Sequence, residues 1–475
     1  VNQTPPAPFT TPDWIKHAIV YQIFPDRFCN GDPTNDPANK SPWLSQPTTT
    51  NTMGGDLQGI INRLDYLNDL GITAIYLNPI FHASSNHKYN TYDYYQIDPH
   101  FGTLETFHTL VHQAHQRNIR IILDGVFNHC SRGFFAFHNL LEEQQHSPYQ
   151  EWFHVQQFPL HPYNEAEPAN YACWWNIRSL PKFNPTHPPV RDYLLAIARY
   201  WIEQGADGWR LDVPNEIKDH DFWREFRHTV KAANPDAYIV GEIWKDASPW
   251  LDGTQFDAVM NYLFRDLCRD FFARDTITID TFAHEIAALL QRYPPEVTQA
   301  QLNLFGSHDT PRILTEAGGD LNRLYAATLF QMTYPGAPCI YYGDEIGLQG
   351  GKEPDSRGCF PWDESVWERE LRDWVRQCAR LRHTHTALRT GHFHTLYVSA
   401  PCYAFVRWND EEQLIVALNT TPRPHTSTLP LGDLPIPATA TSATDLLSGT
   451  TYPIAQEEIA SLSIPGRRGV VLRLH

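Results

Sequence analysis

No apolar run in the 475 residues approaches the roughly 20 that a membrane-spanning helix needs. Positive charge is in short supply. The 37 Lys and Arg face 54 Asp and Glu, for a formal net charge of −17. That sign disfavours nucleic acid or an anionic membrane surface as partner and suits a neutral ligand. The eight cysteines, at positions 29, 130, 173, 268, 339, 359, 378 and 402, contain no CxxC pair. They read as reduced thiols rather than as a disulfide framework. HExxH and a glycine-rich phosphate loop are both missing, so zinc-peptidase and nucleotide chemistry have no motif to stand on. The opening VNQTPPAPFTTPDW has no basic segment followed by an apolar core. The expectation is therefore a cytoplasmic protein without a signal peptide. Residues 1–13, rich in Pro and Thr, are expected to be extended.

What the chain does contain is a repeated pattern. Short β-rich runs recur at 17–25, 72–80, 119–127, 207–213, 237–243, 256–262, 301–309 and 337–345. Amphipathic stretches such as LQGIINRLDYLNDL and LVHQAHQRN separate most of them. Strands alternating with helices predict a parallel sheet, and eight such units predict a (β/α)₈ barrel. A doubly wound sheet is the alternative. One connection is too long for that repeat. About 60 residues separate the third run from the helical pattern VRDYLLAIARYWIEQG, which suggests an inserted functional segment. From about 391 the pattern becomes alternating short strands. The expected division is a barrel over 1–127 and 187–390, an inserted subdomain over 128–186, and a C-terminal antiparallel β-sandwich over 391–475.

The chemistry sits where the predicted strands end. In GADGWRLDVPNE, side chains alternate, so Gly208, Arg210 and Asp212 share one face and Pro214 stops the strand. A lone Arg–Asp pair there is as readily a structural ion pair as a catalytic one. The other strand ends decide the matter. The third carries Asp124 and then Asn128–His129, the fifth Glu242, and the seventh His308–Asp309. Barrel active sites form at the C-terminal strand ends, and polar residues converging there are poor core packing. Paired carboxylates are the tools of glycoside cleavage, one ionised as nucleophile and one protonated as acid. Arg210 is expected to depress the pKa of Asp212, and neighbouring carboxylates to raise that of Glu242.

These segments resemble the α-amylase superfamily, glycoside hydrolase family 13. DGVFNH (124–129), GWRLDVPNE (208–216), EIW (242–244) and FGSHDT (305–310) match its ordered sequence regions. The resemblance implies a retaining α-glucan hydrolase with Asp212 as nucleophile, Glu242 as general acid and base, and Asp309 as the carboxylate that holds the ring hydroxyls. It implies that Arg210, His129 and His308 contact the reacting sugar or the nucleophile, and that Tyr89 stacks beneath that sugar. LPKFN (180–184) is similar to the neopullulanase, cyclomaltodextrinase and maltogenic amylase group. By that resemblance Asn215 and Glu216 bear on linkage choice, and Trp244, Asp355 and Arg357 on substrate binding. NGDPTNDP offers hard oxygen ligands at Asn30, Asp32, Asn35 and Asp36. Similar segments bind structural calcium together with a later Gly-Gly-Asp, here Gly54 and Asp56; an ion-free Asx turn is the alternative.

The first barrel strand begins near residue 17, where the related enzymes usually carry an N-terminal β-domain. A member lacking that domain, monomeric or dimerising by another surface, is the expectation. The substrates implied are cyclodextrins, maltooligosaccharides or pullulan. An α-1,6 debranching enzyme and a 4-α-glucanotransferase of the same fold are alternatives. A non-catalytic carbohydrate-binding protein is the remote one.

Overall fold

The computed structural model describes residues 9–164, 166–435 and 440–475. The first eight residues of the segment expected to be extended lie outside that description, and a short helix begins at Asp13.

All eight predicted strand runs form strands. They are β1 (Val20–Ile23), β2 (Ala74–Leu77), β3 (Arg120–Gly125), β4 (Gly208–Leu211), β5 (Tyr238–Gly241), β6 (Ala258–Val259), β7 (Leu302–Leu304) and β8 (Ala337–Tyr341). They pair in parallel in the order β6-β5-β4-β3-β2-β1-β8-β7. A parallel bridge between Met260 and Leu302 closes the two edges into a barrel. Closure removes the unpaired edge groups that an open sheet would expose.

The period of two decides what fills the barrel. Val20, Ala74, Tyr76, Ile122, Tyr238, Val240, Met260, Leu302, Leu304 and Cys339 form one buried cluster inside it. The other faces of the strands meet the surrounding helices in a separate, larger core. Trp209 shows the second environment. It is fully buried, and its indole N–H donates to the Ala198 carbonyl of the helix Pro188–Glu203. Gly208 marks close backbone approach, because a Cβ there would lie 2.4 Å from the Tyr238 carbonyl oxygen. Its neighbour on the inward face is Arg210, so the lumen is filled by a guanidinium where alternation would otherwise place an aliphatic side chain.

The long connection after β3 holds the helix Phe135–Glu143 and short 3₁₀ turns rather than a regular sheet. Bridges from His129 to Lys182 and from Cys173 to Pro181 fold it back over the barrel mouth. After the helix Arg369–Thr384, six strands pair antiparallel, and a two-stranded ribbon of His425–Pro430 and Glu458–Ile464 stands beside them. Their shared core includes Leu429, Ile459, Leu462, Val406 and Ile415. None of the eight cysteines forms a disulfide, and no described helix is long and apolar enough to cross a membrane.

Candidate active site

The C-terminal ends of β3, β4, β5 and β7 deliver their polar residues into one cleft of about 750 Å³. Arg210, which is 0% exposed, contacts two of the carboxylates that line it. One guanidinium nitrogen, Nη1, lies 2.8 Å from Asp124 Oδ1 and 3.2 Å from Asp212 Oδ1. The other, Nη2, lies 2.8 Å from Glu242 Oε2, in contact but out of line for a hydrogen bond. Three carboxylates thus share one cation.

Asp212 and Glu242 are held by more than charge. Immediately after Asp212 the chain turns at Val213, which sits in the left-handed region at φ 37° and ψ 49°. A β-branched residue there is strained. The turn aims the Val213 N–H at Glu242 Oε2, 3.0 Å away. Pro214–Glu216 then forms a 3₁₀ turn that ends the strand. Trp244 donates its indole N–H to Glu242 Oε1 at 2.9 Å and lies flat on Tyr262, with centroids 3.9 Å apart and planes within 9°.

The expected depression of Asp212 does not occur. Its carboxyl is pushed well above the usual carboxylate range, chiefly by burial and next by the charge of Glu242. Arg210 opposes both, but a guanidinium spread over three carboxylates does not offset the loss of water. Asp309, on the loop after β7, is likewise pushed up to about 7 by burial and by Glu242. Arg357 Nη2 and His308 Nε2, each 3.2 Å away, hold it in place.

Both histidines are neutral. Burial lowers His308 well below the ordinary imidazole value and His129 to about 3. The amides of Gln22 and Asn78 point at His308 Nδ1, at 2.9 and 3.2 Å. That makes Nδ1 the acceptor and puts the proton on Nε2, 2.7 Å from the Tyr89 hydroxyl. Tyr89 in turn donates to Asp124 Oδ2 at 2.7 Å. Its ring stacks on His308 with planes within 6°. His129 stacks on Trp174, and its Nε2 is buried without a partner.

Asn215, Glu216, Trp244 and Arg357 also line the cleft. Asp355 does not. Its Oδ1 accepts from Gln46 Nε2 at 3.0 Å, and Glu353 occupies the cleft wall instead, paired with Arg357 at 2.7 Å. Register in an irregular loop fixes which acid faces inward, and spacing alone does not reveal it. Sequence reasoning also missed His87, Trp174 and Trp175, which line the same cleft. The Trp-Trp pair within the insertion was the available signal: its rings stack 4.7 Å apart, and Trp175 is 77% exposed.

The oxygen-rich loop lies apart from this cleft. Asp56 accepts main-chain N–H groups from Gly31, Asp32 and Gly59, and the Asn35 amide at 3.2 Å. Asn30 Nδ2 and Asp36 Oδ1 are 2.6 Å apart, while Lys40 pairs with the other oxygen of Asp36. Asn35 Oδ1 is buried with no partner, and a Cβ on Gly54 would meet Asp36 Oδ1 at 2.3 Å. A hard cation fits this cradle, because amide oxygens of Asn30 and Asn35 turned inward would ligate it. Asp32 stands aside, capping Thr34. Among the described residues no three His, Cys, Asp or Glu side chains converge on a metal position, so such an ion would depend on amide and main-chain oxygens.

The catalytic domain of α-amylase matches residues 22–390. The cyclomaltodextrinase of Geobacillus thermopakistaniensis is 47% identical over 462 residues, spanning 96% of this chain and 77% of that protein. Neopullulanase 2 of Thermoactinomyces vulgaris is 48% identical over 415 residues, spanning 86% of this chain and 70% of that protein. Among solved structures, the acarbose-soaked debranching enzyme of Nostoc punctiforme superposes with a TM-score of 0.86 at 45% identity. That match covers 98% of this chain and 100% of the other.

Proposed function

The chain belongs to the α-amylase family of glycoside hydrolases, and from that premise we propose that Asp212 is its nucleophile and Glu242 its general acid and base. The observation that supports these roles is the shared hold on the two groups. Arg210 contacts both carboxylates, and the strained Val213 turn ties one to the other. In the first step Asp212 bonds to the anomeric carbon while Glu242 gives its proton to the departing glycosidic oxygen. In the second, Glu242 takes a proton from water as that water displaces Asp212. Two inversions leave the α configuration. The buried, unpartnered His129 Nε2 would donate to or accept from a hydroxyl of the reacting sugar, and the Tyr89 ring would support its face. Asp309, with Arg357 behind it, would hold the ring hydroxyls.

The substrates proposed are cyclodextrins and pullulan, as the names of the first two relatives suggest, together with maltooligosaccharides, all cleaved at α-1,4 bonds. Glu216 is tied by Lys182, 3.1 Å away, to the LPKFN segment, so the side chains expected to bear on linkage stand on a fixed wall. One finding favours a second reading. The solved debranching enzyme is matched over its whole length, which supports α-1,6 cleavage. Pullulan separates them. Chromatography of its products should show panose; maltotriose as the main product would replace α-1,4 cleavage with debranching.

Calcium is proposed as a structural ion held by Asn30, Asn35, Asp36, Gly54 and Asp56, where it would neutralise the buried oxygens that tie this loop down. It takes no part in bond cleavage. Chelation should lower the melting temperature by about 3–10 °C, reversed by added calcium and not by sodium. An unchanged melting temperature after exhaustive chelation would remove the ion from the account. The intracellular maltogenic amylase of Bacillus subtilis, 43% identical, is consistent with a cytoplasmic location.

A further inference from the structure

A second cleft, of about 470 Å³, opens at the opposite end of the barrel and shares no residue with the catalytic one. Arg120, the first residue of β3, belongs to its wall. The helices Asp13–His17, Leu104–Gln116, Arg369–Thr384 and Ala387–Thr390 supply Trp14, His17, His115, His383 and Arg389. Two arginines and three histidines thus line one concavity, and among the described residues no carboxylate lines it. In a chain of net charge −17 that reverses the prevailing sign. A concave wall of one sign gathers ligands of the other. Basic side chains do collect at helix C-termini for their own sake, because cations offset the terminal carbonyls. His383 fits that account, with Nε2 donating to the Gly71 carbonyl at 2.8 Å. His115 is likewise occupied, 2.7 Å from Asp207 Oδ2.

The remaining groups are not accounted for in that way. Arg120 begins a strand, and it hydrogen-bonds Asp207 through Nη1 at 2.8 Å. Arg389 Nε and His17 Nδ1 are both buried without a partner. Burial first, and then the charge of Arg389, push the His17 imidazole below its ordinary value, so the two side chains stand close together. Buried polar groups left without partners are costly. An anion seated here would supply the missing acceptors, and a guanidinium fork matches the oxygens of a phosphate. The cleft is larger than a bare anion needs and falls within the roughly 300–1,000 Å³ of small-molecule sites. Trp14 adds a flat, half-buried wall, fixed by its indole N–H on the Asp236 carbonyl at 2.8 Å and by edge contact with Tyr238. We propose that this cleft binds a phosphomonoester carried on a ring, either a sugar or a nucleoside, with Arg389 and Arg120 on the phosphate and Trp14 against the ring. The proposal does not depend on the roles of Asp212 and Glu242.

The test is isothermal titration calorimetry on the full chain in phosphate-free buffer. Three probes are titrated: inorganic phosphate, glucose 6-phosphate and adenosine monophosphate. At least one of the two ring-bearing probes should bind once per chain, with a Kd of about 1 mM or tighter and about tenfold or more below that of inorganic phosphate. The tighter of the two identifies the source of the phosphate group. Arg389→Gln should weaken that binding by about tenfold or more, and Arg389→Lys should recover part of it. Melting temperatures within about 2 °C of the wild type would show that both variants fold. Three results would each overturn the proposal. The first is no binding of either ring-bearing probe up to about 10 mM. The second is affinity no better than that of inorganic phosphate. The third is binding that Arg389→Gln leaves unchanged, which would put the ligand elsewhere on the chain.

Discussion

Asp212→Asn lowers kcat on maltooligosaccharides by about 10⁴-fold or more while leaving oligosaccharide affinity within a few-fold. The amide has nearly the same shape, so the cleft wall formed by His129, Trp174, Trp244 and Tyr89 is preserved. What is lost is the oxygen anion that, in the proposed mechanism, bonds to the anomeric carbon. Glu242 can still protonate a leaving group, but no nucleophile of the protein replaces Asp212. Stability should not fall. Because the folded carboxyl sits above its unfolded value, its ionised form opposes folding at neutral pH. The sign follows: a raised carboxyl favours the folded state increasingly as pH falls and opposes it once ionised. A neutral amide removes that cost, so the melting temperature at pH 7 stays level or rises. Calorimetry and initial rates check both halves. A melting temperature that falls by several degrees would show that the activity loss came from misfolding.

Arg210→Met carries the second large effect, and its direction in stability is opposite. Arg210 is fully buried and contacts Asp124, Asp212 and Glu242 within 3.2 Å. Removing one partner of a buried ionic cluster strands the others, at a cost of about 3–5 kcal/mol. Asp124 and Asp212, which burial already raises and Arg210 opposes, would rise further, leaving no ionised nucleophile. A fall of about 10³-fold or more in kcat is expected, with lower denaturant resistance. Arg210→Lys separates the two contributions. It restores a charge but not the planar fork that reaches two carboxylates from one nitrogen and a third from the other. It should recover most of the stability and little of the rate. Full recovery of rate in the lysine variant would mean that charge alone, not fork geometry, organises the pair.

The barrel was legible because each strand run carries its own evidence. Alternation in GADGWRLDV placed Arg210 and Asp212 inward and Trp209 outward, and the structure agrees. The convergence of Asp124, Arg210, Glu242 and Asp309 on one cleft follows from the same logic, since parallel strands bring all C-terminal ends to one side. Three features escaped for physical reasons. The choice between Glu353 and Asp355 depends on loop backbone geometry, for which no periodicity exists. The upward push on Asp212 is a balance of burial, repulsion and one shared cation. The adjacent arginine suggested the opposite sign because the sequence shows the neighbour but not the number of carboxylates it serves. Trp244 was read as a sugar contact, and its hydrogen bond to Glu242 depends on a rotamer fixed by Tyr262, some 18 residues away in the chain.

The measurement that bears most directly on the covalent mechanism is the anomeric form of the first product, followed by proton NMR during early hydrolysis of a maltooligosaccharide. Attack by Asp212 and then by water predicts that the α anomer appears first and relaxes to the equilibrium mixture. The β anomer appearing first would mean a single displacement by water, and Asp212 would not be the nucleophile.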